Sequence, residues 1–521
     1  MDLRQNKSII AFAAVCGTSA LFIWLRFSEF IAGSVGDDAV YIEMARSIAE
    51  GRGPIIYLSE FTSYLPFAFP AGYPLLLSPI ARLFPHSIHA LQLTSLILPL
   101  SGIPFYFICK RLQINRTLAL SAIALVLLNP WIVAYSNRVL SEAPYTFFSY
   151  IALLAYIKWQ DTARPLSPTL LVVMLAAGLS ASIRTVGLAL IATMLLHLLV
   201  RCKWSHLISL SLSLAVSMSP QLLANKQGGG SIISQGYHLQ MVEHAQSLGT
   251  RLDFMLHNAL GYLNELPAAL VPLFGNQVHS LTTNTGLGFL YTMVLFLAGI
   301  LLLALISIGA WQLLRLQDEA GKVILIYLAF YTGAILNFSG WPSGVQLRLL
   351  VPLIPILYLL LLNGSTHLLS RTTFPPWTIQ LITIAILAVS AGHNLYRASH
   401  TMSQSRSDSG RGFVDYSAGS SWIHSHTLPS DIIMARYPLE RHIHFNRPCV
   451  RYPEEATSIE SLRLGEHNIS FLFISPGNPD YPDQLDETER RIKRMVQTHP
   501  DRFQLAYENR GQSIYIYQVI H

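Results

Sequence analysis

The sequence predicts a polytopic α-helical membrane protein with a soluble C-terminal α/β domain. Of its 521 residues, 52% are hydrophobic and only 12% are charged, about half of the charged fraction that is usual in soluble domains. The hydrophobic residues fall into runs of roughly 18 or more, and each run is long enough as a helix to cross a bilayer. The tail instead alternates strand-like and charged helical segments. These features exclude a water-soluble globule.

Hydropathy predicts about eleven membrane spans. The first follows Arg4 and Lys7, but its length and the lack of a small-residue cleavage site after it predict a retained anchor, not a signal peptide. With the N-terminus in the cytoplasm, most loop Lys and Arg residues are cytoplasmic, as the positive-inside rule prefers, and the C-terminus lies outside. The spans lie near residues 9–27, 88–108, 117–135, 144–159, 168–182, 186–200, 207–224, 286–314, 323–338, 349–368 and 377–395.

The run at 168–200 decides this topology. It has about 33 residues, too many for one untilted crossing, and it contains Ser180, Ser182, Arg184 and Thr185 in its middle. We therefore predict a tight hairpin with Arg184 near the outer face. The alternative is one tilted helix, which would place the C-terminal domain in the cytoplasm.

The predicted domains are a membrane domain at 1–395, with outer loops at about 28–87 and 225–285, and an extracytoplasmic α/β domain at 396–521. The tail pattern predicts four strands that alternate with helical segments, notably one charged helix. The strands are Asp431 to Ala435, Ser470 to Ser475, Gln504 to Glu508 and Ser513 to Val519, the last two joined by a turn at Asn509 to Gln512, and the helix is Tyr481 to Thr498.

Two adjacent carboxylates, Asp37 and Asp38, begin an amphipathic helix that we predict to end at Glu50-Gly51 in the first outer loop. Asp is a favoured N-cap residue, and its charge suits the positive end of the helix dipole, so capping alone explains the pair. A carboxylate at the membrane surface can also take a proton from an acceptor hydroxyl as a general base. Both interpretations hold if one Asp serves each purpose.

A Pro-x-Gly-Tyr-Pro element, Pro70 to Pro74, follows these carboxylates about 35 residues later. The order of Asp-Asp, then Tyr41 and Ala45 on one helix, then this element resembles the bacterial aminoarabinose transferases and protein O-mannosyltransferases. These proteins have the C-type glycosyltransferase fold. The resemblance therefore implies that fold here.

Three further segments continue the resemblance through most of the chain. Asn137 to Pro144, with Glu142, matches the family's second acidic loop, Arg184 follows a run of small residues, and Arg348 precedes Pro352 and Pro355. The sequence departs from the family in two places. No lysine precedes Pro70, and Leu349 replaces a tyrosine that the family often has, which weakens any transfer of lipid A specificity.

The resemblance implies an inverting transferase that passes a sugar from a polyprenyl-phosphate donor to a lipid, glycan or protein acceptor on the extracytoplasmic face. Asp37 would be the general base, Asp38 its support or an ion ligand, and Glu142 would position the acceptor or a divalent cation. Arg184 and Arg348 would hold the donor phosphate, whose geometry a guanidinium fits well. The expected substrate-binding residues are Tyr41, Arg138 and Tyr73.

No cofactor is required by this scheme, although a divalent metal ion at Asp38 and Glu142 stays open. We expect membrane lipids around the chain and the inner membrane of a bacterium as its location. We expect no nucleic acid as a partner, because the net charge of +6 is spread over many loops. The tail histidines His442 and His444 do not form a convincing metal site, and a surface role is the simpler interpretation.

Simpler interpretations of the membrane residues also stand. Glu142 can form a salt bridge with Arg138, and arginines at span ends can extend to the lipid headgroups. A lipid transporter or flippase is the main alternative function, although the candidate residues gather on one face and no internal repeat is visible. A non-catalytic assembly factor is the second alternative.

Overall fold

A computed structural model of the chain describes residues 3–33, 36–60, 62–64, 69–227, 248–271, 288–338, 346–373, 375, 377–404, 414–453, 455–476, 485 and 487–520. These residues belong to two compact units. The helical unit comprises Met1–Phe27, Phe67–Tyr73 and Gln92–Ala398, and the sheet unit comprises Ser28–Pro66, Pro74–Leu91 and Ser399–His521. The sheet unit thus includes most of the first loop, while the predicted boundary at residue 396 stays a prediction.

The described α-helices are α1 (Leu3–Leu25), α2 (Asp37–Ala49), α3 (Gly72–Leu83), α4 (Ile88–Gln92), α5 (Ile97–Arg111), α6 (Arg116–Leu127), α7 (Pro130–Ser136), α8 (Glu142–Trp159), α9 (Pro168–Ile183), α10 (Gly187–Val200), α11 (Trp204–Gln227), α12 (Leu248–Leu270), α13 (Gly288–Arg315), α14 (Glu319–Leu336), α15 (Ile354–Leu369), α16 (Trp377–Gln404), α17 (Val414–His426), α18 (Pro438–Phe445) and α19 (Glu487–Gln497).

Membrane spans can be counted among these helices by length and composition. Five described segments are long and apolar enough to cross a bilayer, and α6 with α7, bent by 54°, makes a sixth if the pair is one span. Each predicted span contains a described helix. The chain is therefore an integral membrane protein, and the full count of eleven stays a prediction.

The run at 168–200 is divided at Arg184. Between α9 and α10, Arg184 has an extended backbone with φ −144° and ψ 134°. The turn is tight because Gly187 lies against the end of α9, where a Cβ would come within 2.6 Å of the Ala181 Cα. The prediction of two helices is confirmed, and the alternative of one tilted helix is wrong.

The predicted second outer loop contains a helix that was not expected from the sequence. α12 occupies Leu248–Leu270, while residues 228–247 and 272–287 lie outside the described part. Leu252, Leu256 and Leu260 are exposed along one face, whereas Asn258 is buried and donates to the Leu336 carbonyl at 2.9 Å. Arg251, Asp253 and His257 are exposed as well, so polar residues interrupt the apolar ones along this segment.

The sheet unit holds a five-stranded mixed sheet in the tail, in the order β4-β3-β5-β7-β6. β3 pairs in parallel with the edge strand β4 and with β5, and β7 pairs antiparallel with both β5 and β6. A separate hairpin, β1 with β2, lies in the first loop. The strands are β1 (Ile56–Ser59), β2 (Thr62–Tyr64), β3 (Ile432–Ala435), β4 (Cys449–Arg451), β5 (Ile469–Ile474), β6 (Phe503–Asn509) and β7 (Ile514–Val519).

Helices cover both faces of the five-stranded sheet because successive strand residues point to opposite sides. On one face Leu472 and Ile474 pack in a core with Ile492 of α19, and on the other Phe473 packs with Phe445 of α18. The four predicted strands and their terminal hairpin are confirmed. β4 is an additional strand. The predicted charged helix is described at Glu487–Gln497, and residues 481–484 and 486 of the prediction lie outside the described part.

Candidate active site

An ion pair lies at the start of α8 in the helical unit. Glu142, which is 2% exposed, has its Oε1 2.6 Å from Nη1 of Arg184. The same nitrogen donates to Ser141 Oγ at 3.0 Å. The first turn of a helix favours a carboxylate, and the turn between α9 and α10 supplies its cation. Glu142 is therefore paired with Arg184 instead of Arg138, and Arg184 is held inward instead of extending to lipid headgroups.

Arg348 lies on a short 3-10 turn, Leu347–Leu350, just before α15. Its charge acts on Glu142, together with that of Arg184, and its Nε donates to Gln346 Oε1 at 2.8 Å. The predicted residues Glu142, Arg184 and Arg348 thus belong to one electrostatic cluster.

Buried tyrosines fix the backbone around Arg348. The hydroxyl of Tyr331 donates to the Leu349 carbonyl at 2.9 Å, and that of Tyr150 donates to the Pro352 carbonyl at 2.9 Å. Non-helical backbone inside a membrane protein needs such partners because its carbonyls have no water to bond. This role of the two tyrosines was not predicted, since nothing in the local sequence distinguishes them from aromatic residues that only pack.

A cavity of about 480 Å³ in the helical unit is lined by Arg184, the one member of this cluster that reaches it. Arg184 and Arg251 contribute two guanidinium groups, and Arg251 Nε donates to Asn337 Oδ1 at 2.9 Å. Much of the remaining lining is apolar, including Leu188, Ala192, Phe330 and Ile335. An apolar cavity with cationic groups suits an apolar chain that ends in an anion. Arg251 was not among the predicted site residues.

The Pro-x-Gly-Tyr-Pro element packs against the Arg184 turn. A Cβ on Gly72 would come within 2.5 Å of the Ser182 carbonyl carbon and oxygen, so only glycine fits there. The backbone N–H of Ala71 donates to Gln221 Oε1 at 3.1 Å. Tyr73, predicted to bind substrate, is fully buried with its hydroxyl 3.2 Å from Thr94 Oγ1. The element therefore supports the turn that carries Arg184.

The two carboxylates of the first loop lie in the sheet unit, and the structure gives them different surroundings. Gly36, with φ +85°, is the N-cap of α2, and no side chain caps this helix. Asp38 is fully buried and accepts the Gly33 N–H at 2.7 Å, whereas Asp37 is half-buried. Asp38 thus holds the preceding loop, and Asp37 is the more accessible carboxylate.

Tyr41 and Arg138 are the other two residues predicted to bind substrate. Tyr41 is 4% exposed on α2, whose residues from Asp38 to Ala45 are all buried, so this helix is less amphipathic than predicted. The Arg138 guanidinium lies over the Tyr135 ring, 5.8 Å from its centre, in the helical unit.

A second polar cluster joins α2 and α18 inside the sheet unit. Glu43 Oε2 is 3.6 Å from His442 Nε2 and 4.0 Å from Arg46. Burial raises the pKa of Glu43 to about 7, although Arg46 and Arg52 oppose it. Burial also lowers the pKa of His442 and of His444 to about 4. Both histidines are part-buried and bond backbone carbonyls, so the predicted surface role is wrong for them.

No three His, Cys, Asp or Glu side chains within the described ranges lie close enough together to hold a metal ion. Asp38 accepts a backbone N–H and Glu142 is paired with a guanidinium. The divalent ion that the resemblance leaves open at these carboxylates stays a prediction.

The family model for dolichyl-phosphate-mannose-protein mannosyltransferase matches residues 86–225, a minority of the chain that includes Glu142 and Arg184. No curated protein matches the sequence.

Solved structures match much more of the chain. ArnT from Cupriavidus metallidurans bound to undecaprenyl phosphate has a TM-score of 0.56 and 12% identity, covering 98% of this chain and 97% of that one. The Archaeoglobus fulgidus oligosaccharyltransferase, in complex with Zn and sulfate, has a TM-score of 0.54 and 14% identity, covering 88% and 68%. Arabinofuranosyltransferase AftD from Mycobacteria has a TM-score of 0.55 and 15% identity, covering 100% and 40%. The chain therefore has the C-type fold of membrane glycosyltransferases, as its sequence predicts.

Proposed function

We propose that this chain is a membrane glycosyltransferase that moves a sugar from a polyprenyl-phosphate donor to a lipid, glycan or protein acceptor. The cavity beside the Glu142–Arg184 pair carries the proposal. Its apolar lining suits a polyprenyl chain, and Arg184 and Arg251 suit a phosphate. The similarity to ArnT, whose structure was solved with undecaprenyl phosphate, supports the same ligand class.

The proposed reaction is a single displacement. The acceptor oxygen attacks the anomeric carbon opposite the phosphate, and the new bond to oxygen forms as the sugar–phosphate bond breaks. The acceptor proton passes to Asp37, and the departing polyprenyl phosphate keeps the bonding electrons. Attack from the opposite face inverts the anomeric carbon.

Residue roles follow from this chemistry and from the resemblance. Arg184 and Arg348 stabilise the charge on the leaving phosphate, and Glu142 keeps Arg184 oriented and positions the acceptor. Asp38 supports Asp37 by fixing the loop before it, as its bond to the Gly33 N–H indicates. Tyr41 and Arg138 complete the proposed substrate contacts, and Tyr73 acts through packing.

The proposed setting is the inner membrane of a bacterium, with eleven spans and with the active site and the tail on the extracytoplasmic side. The break at Arg184 supports an odd number of spans, because two helices at 168–200 provide two crossings instead of one.

Sugar transfer tests the assignment of Asp37. Membranes containing the chain are incubated with a panel of undecaprenyl-phosphate monosaccharides, each radiolabelled in the sugar, and label transferred away from the carrier is counted. We expect transfer with at least one donor and a loss of at least about a hundredfold in Asp37→Asn, because general base catalysis contributes that much. Asp501→Asn is the matched control, since Asp501 is an exposed carboxylate of the same unit. Transfer by Asp37→Asn at the wild-type rate would remove Asp37 from the mechanism.

Binding of the carrier tests the cavity separately. Undecaprenyl phosphate should raise the unfolding temperature of the wild-type chain in detergent. The increase should be smaller for Arg251→Gln. The control is Arg315→Gln, whose exposed guanidinium lies near Trp311 at the end of α13. If no donor supports transfer and the carrier does not stabilise the chain, the proposed function is wrong.

A further inference from the structure

The tail helix α18 contacts the backbone that leads into Asp37, and both belong to the sheet unit. His444 Nε2 lies 2.7 Å from the Ala32 carbonyl oxygen. Because a carbonyl can only accept, Nε2 carries the proton and donates it. One turn earlier on α18, Glu440 lies against Gly33, where a Cβ would come within 2.7 Å of the Glu440 Cγ. Two side chains of α18 thus hold residues 32 and 33.

A second set of contacts fixes the other side of Asp37. The Gly33 N–H donates to Asp38 Oδ2 at 2.7 Å, and His442 of α18 faces Glu43 on α2 at 3.6 Å. His442 Nδ1 donates to the Arg447 carbonyl at 2.8 Å, so the neutral ring presents its Nε2 lone pair to Glu43. α18 therefore reaches both the loop before Asp37 and the helix after it.

We propose that His444 is a positioning residue for sugar transfer, which fixes the backbone entering Asp37 through its hydrogen bond to the Ala32 carbonyl. The inference rests on the proposed function, because it takes Asp37 as the general base. A general base must lie within hydrogen-bond reach of the proton that it removes. A shift of about 1 Å in its support is enough to slow a reaction strongly.

The position of α18 does not depend on this bond alone. Phe445 is fully buried and stacks edge-on against Phe473, with ring centres 4.8 Å apart. Leu439 and Ile443 are buried as well. Loss of the His444 bond should therefore leave α18 docked on the sheet while the Ala32 backbone is released.

Two isosteric substitutions separate the hydrogen bond from packing. In His444→Gln the side-chain amide nitrogen reaches the place of Nε2 and can still donate to Ala32. In His444→Asn the shorter amide reaches only the place of Nδ1. We expect His444→Gln to keep kcat within about threefold of wild type, and His444→Asn to lose kcat by about 10-fold to 100-fold with an unchanged KM for the donor.

A double substitution tests whether His444 acts through Asp37. If it does, adding His444→Asn to Asp37→Asn should slow transfer no further, because the two residues act as a unit. His426→Asn is the control, since His426 is an exposed histidine of the sheet unit whose ring stacks on Trp422. Its kcat should equal that of wild type.

The outcomes distinguish the two proposals. Wild-type kcat in His444→Asn, or equal losses in the Gln and Asn variants, would overturn the role of His444 and leave the proposed function intact. An additive loss in the double variant would also overturn it. If the wild-type chain transfers no sugar, the proposed function itself fails. Unfolding temperatures of all variants identify any loss that comes from misfolding.

Discussion

A buried charge is stabilising only while its partner remains, and the Glu142–Arg184 pair follows this rule. Both side chains are largely buried, with 3% and 12% of their surface exposed. Removing one member of such a pair leaves an uncompensated charge and costs about 3–5 kcal/mol, whereas replacing both costs much less. The pair thus both places Arg184 and makes the cluster sensitive to single substitutions.

We predict that Arg184→Gln lowers the free energy of unfolding by about 3–5 kcal/mol, and that adding Glu142→Gln restores much of the loss. Thermal unfolding in detergent measures both effects. The control is Arg111→Gln, because Arg111 is 42% exposed and pairs with Asp161 at 3.0 Å and Asp318 at 3.3 Å, both partly open to solvent. That variant should lose no more than about 1 kcal/mol. If the double variant loses as much free energy of unfolding as the two single variants together, the two charges are not coupled.

Sequence reasoning proposes single site residues more readily than their partners. Asp37, Glu142, Arg184 and Arg348 were proposed from their place in an ordered set of motifs. The partner of Glu142 was not, because Arg138 is four residues away while Arg184 is brought there only by folding. The spacing of residues in the sequence predicts which side chains are neighbours on one helix. It does not predict contacts between distant segments.

The start of α3 packs against the end of α9. Gly72 begins α3, and a Cβ at this position would meet the Ser182 backbone at 2.5 Å and the Ile183 nitrogen at 2.8 Å. Backbone atoms cannot rotate away as a flexible side chain can. An added methyl group must therefore displace either α3 or the turn that carries Arg184.

We predict that Gly72→Ala destabilises the chain by about 1–3 kcal/mol, the usual cost of overpacking, and weakens binding of undecaprenyl phosphate. The unfolding temperature with and without this lipid measures both effects. Gly392→Ala is the control, because a Cβ on Gly392 in α16 has no neighbour within 4 Å, and alanine favours a helix. Equal lipid affinity in Gly72→Ala and wild type would show that the turn does not depend on this contact.

Elements with a strong local pattern were predicted, and those with a mixed pattern were not. The tail strands show regular alternation and were located to within a few residues. α12 was missed because its apolar residues are interrupted by polar ones on both faces, with Asn258 on the buried side and Arg251 and Asp253 on the exposed side. The contact of α18 with residues 32 and 33 joins positions about 400 apart in the chain, so no local signal could reveal it.

The proposed topology of the whole chain depends on the break at Arg184. With two crossings at 168–200, the proposed topology places Cys202 in the cytoplasm and the tail outside. The chain itself provides a reporter, because Cys202 is exposed in the loop after α10 whereas Cys109 and Cys449 are buried.

We predict that Cys202 is protected from a membrane-impermeant maleimide in intact cells and reacts after permeabilisation. A cysteine introduced by Ser458→Cys, at an exposed position of the tail, should react in intact cells. Comparison with the parent chain isolates the signal of each site, and Cys202→Ser shows which labelling belongs to Cys202. Labelling of both sites only after permeabilisation would place the tail in the cytoplasm. Since the sheet unit carries both Asp37 and the tail, that result would also move the proposed base to the cytoplasmic side and contradict an extracytoplasmic reaction.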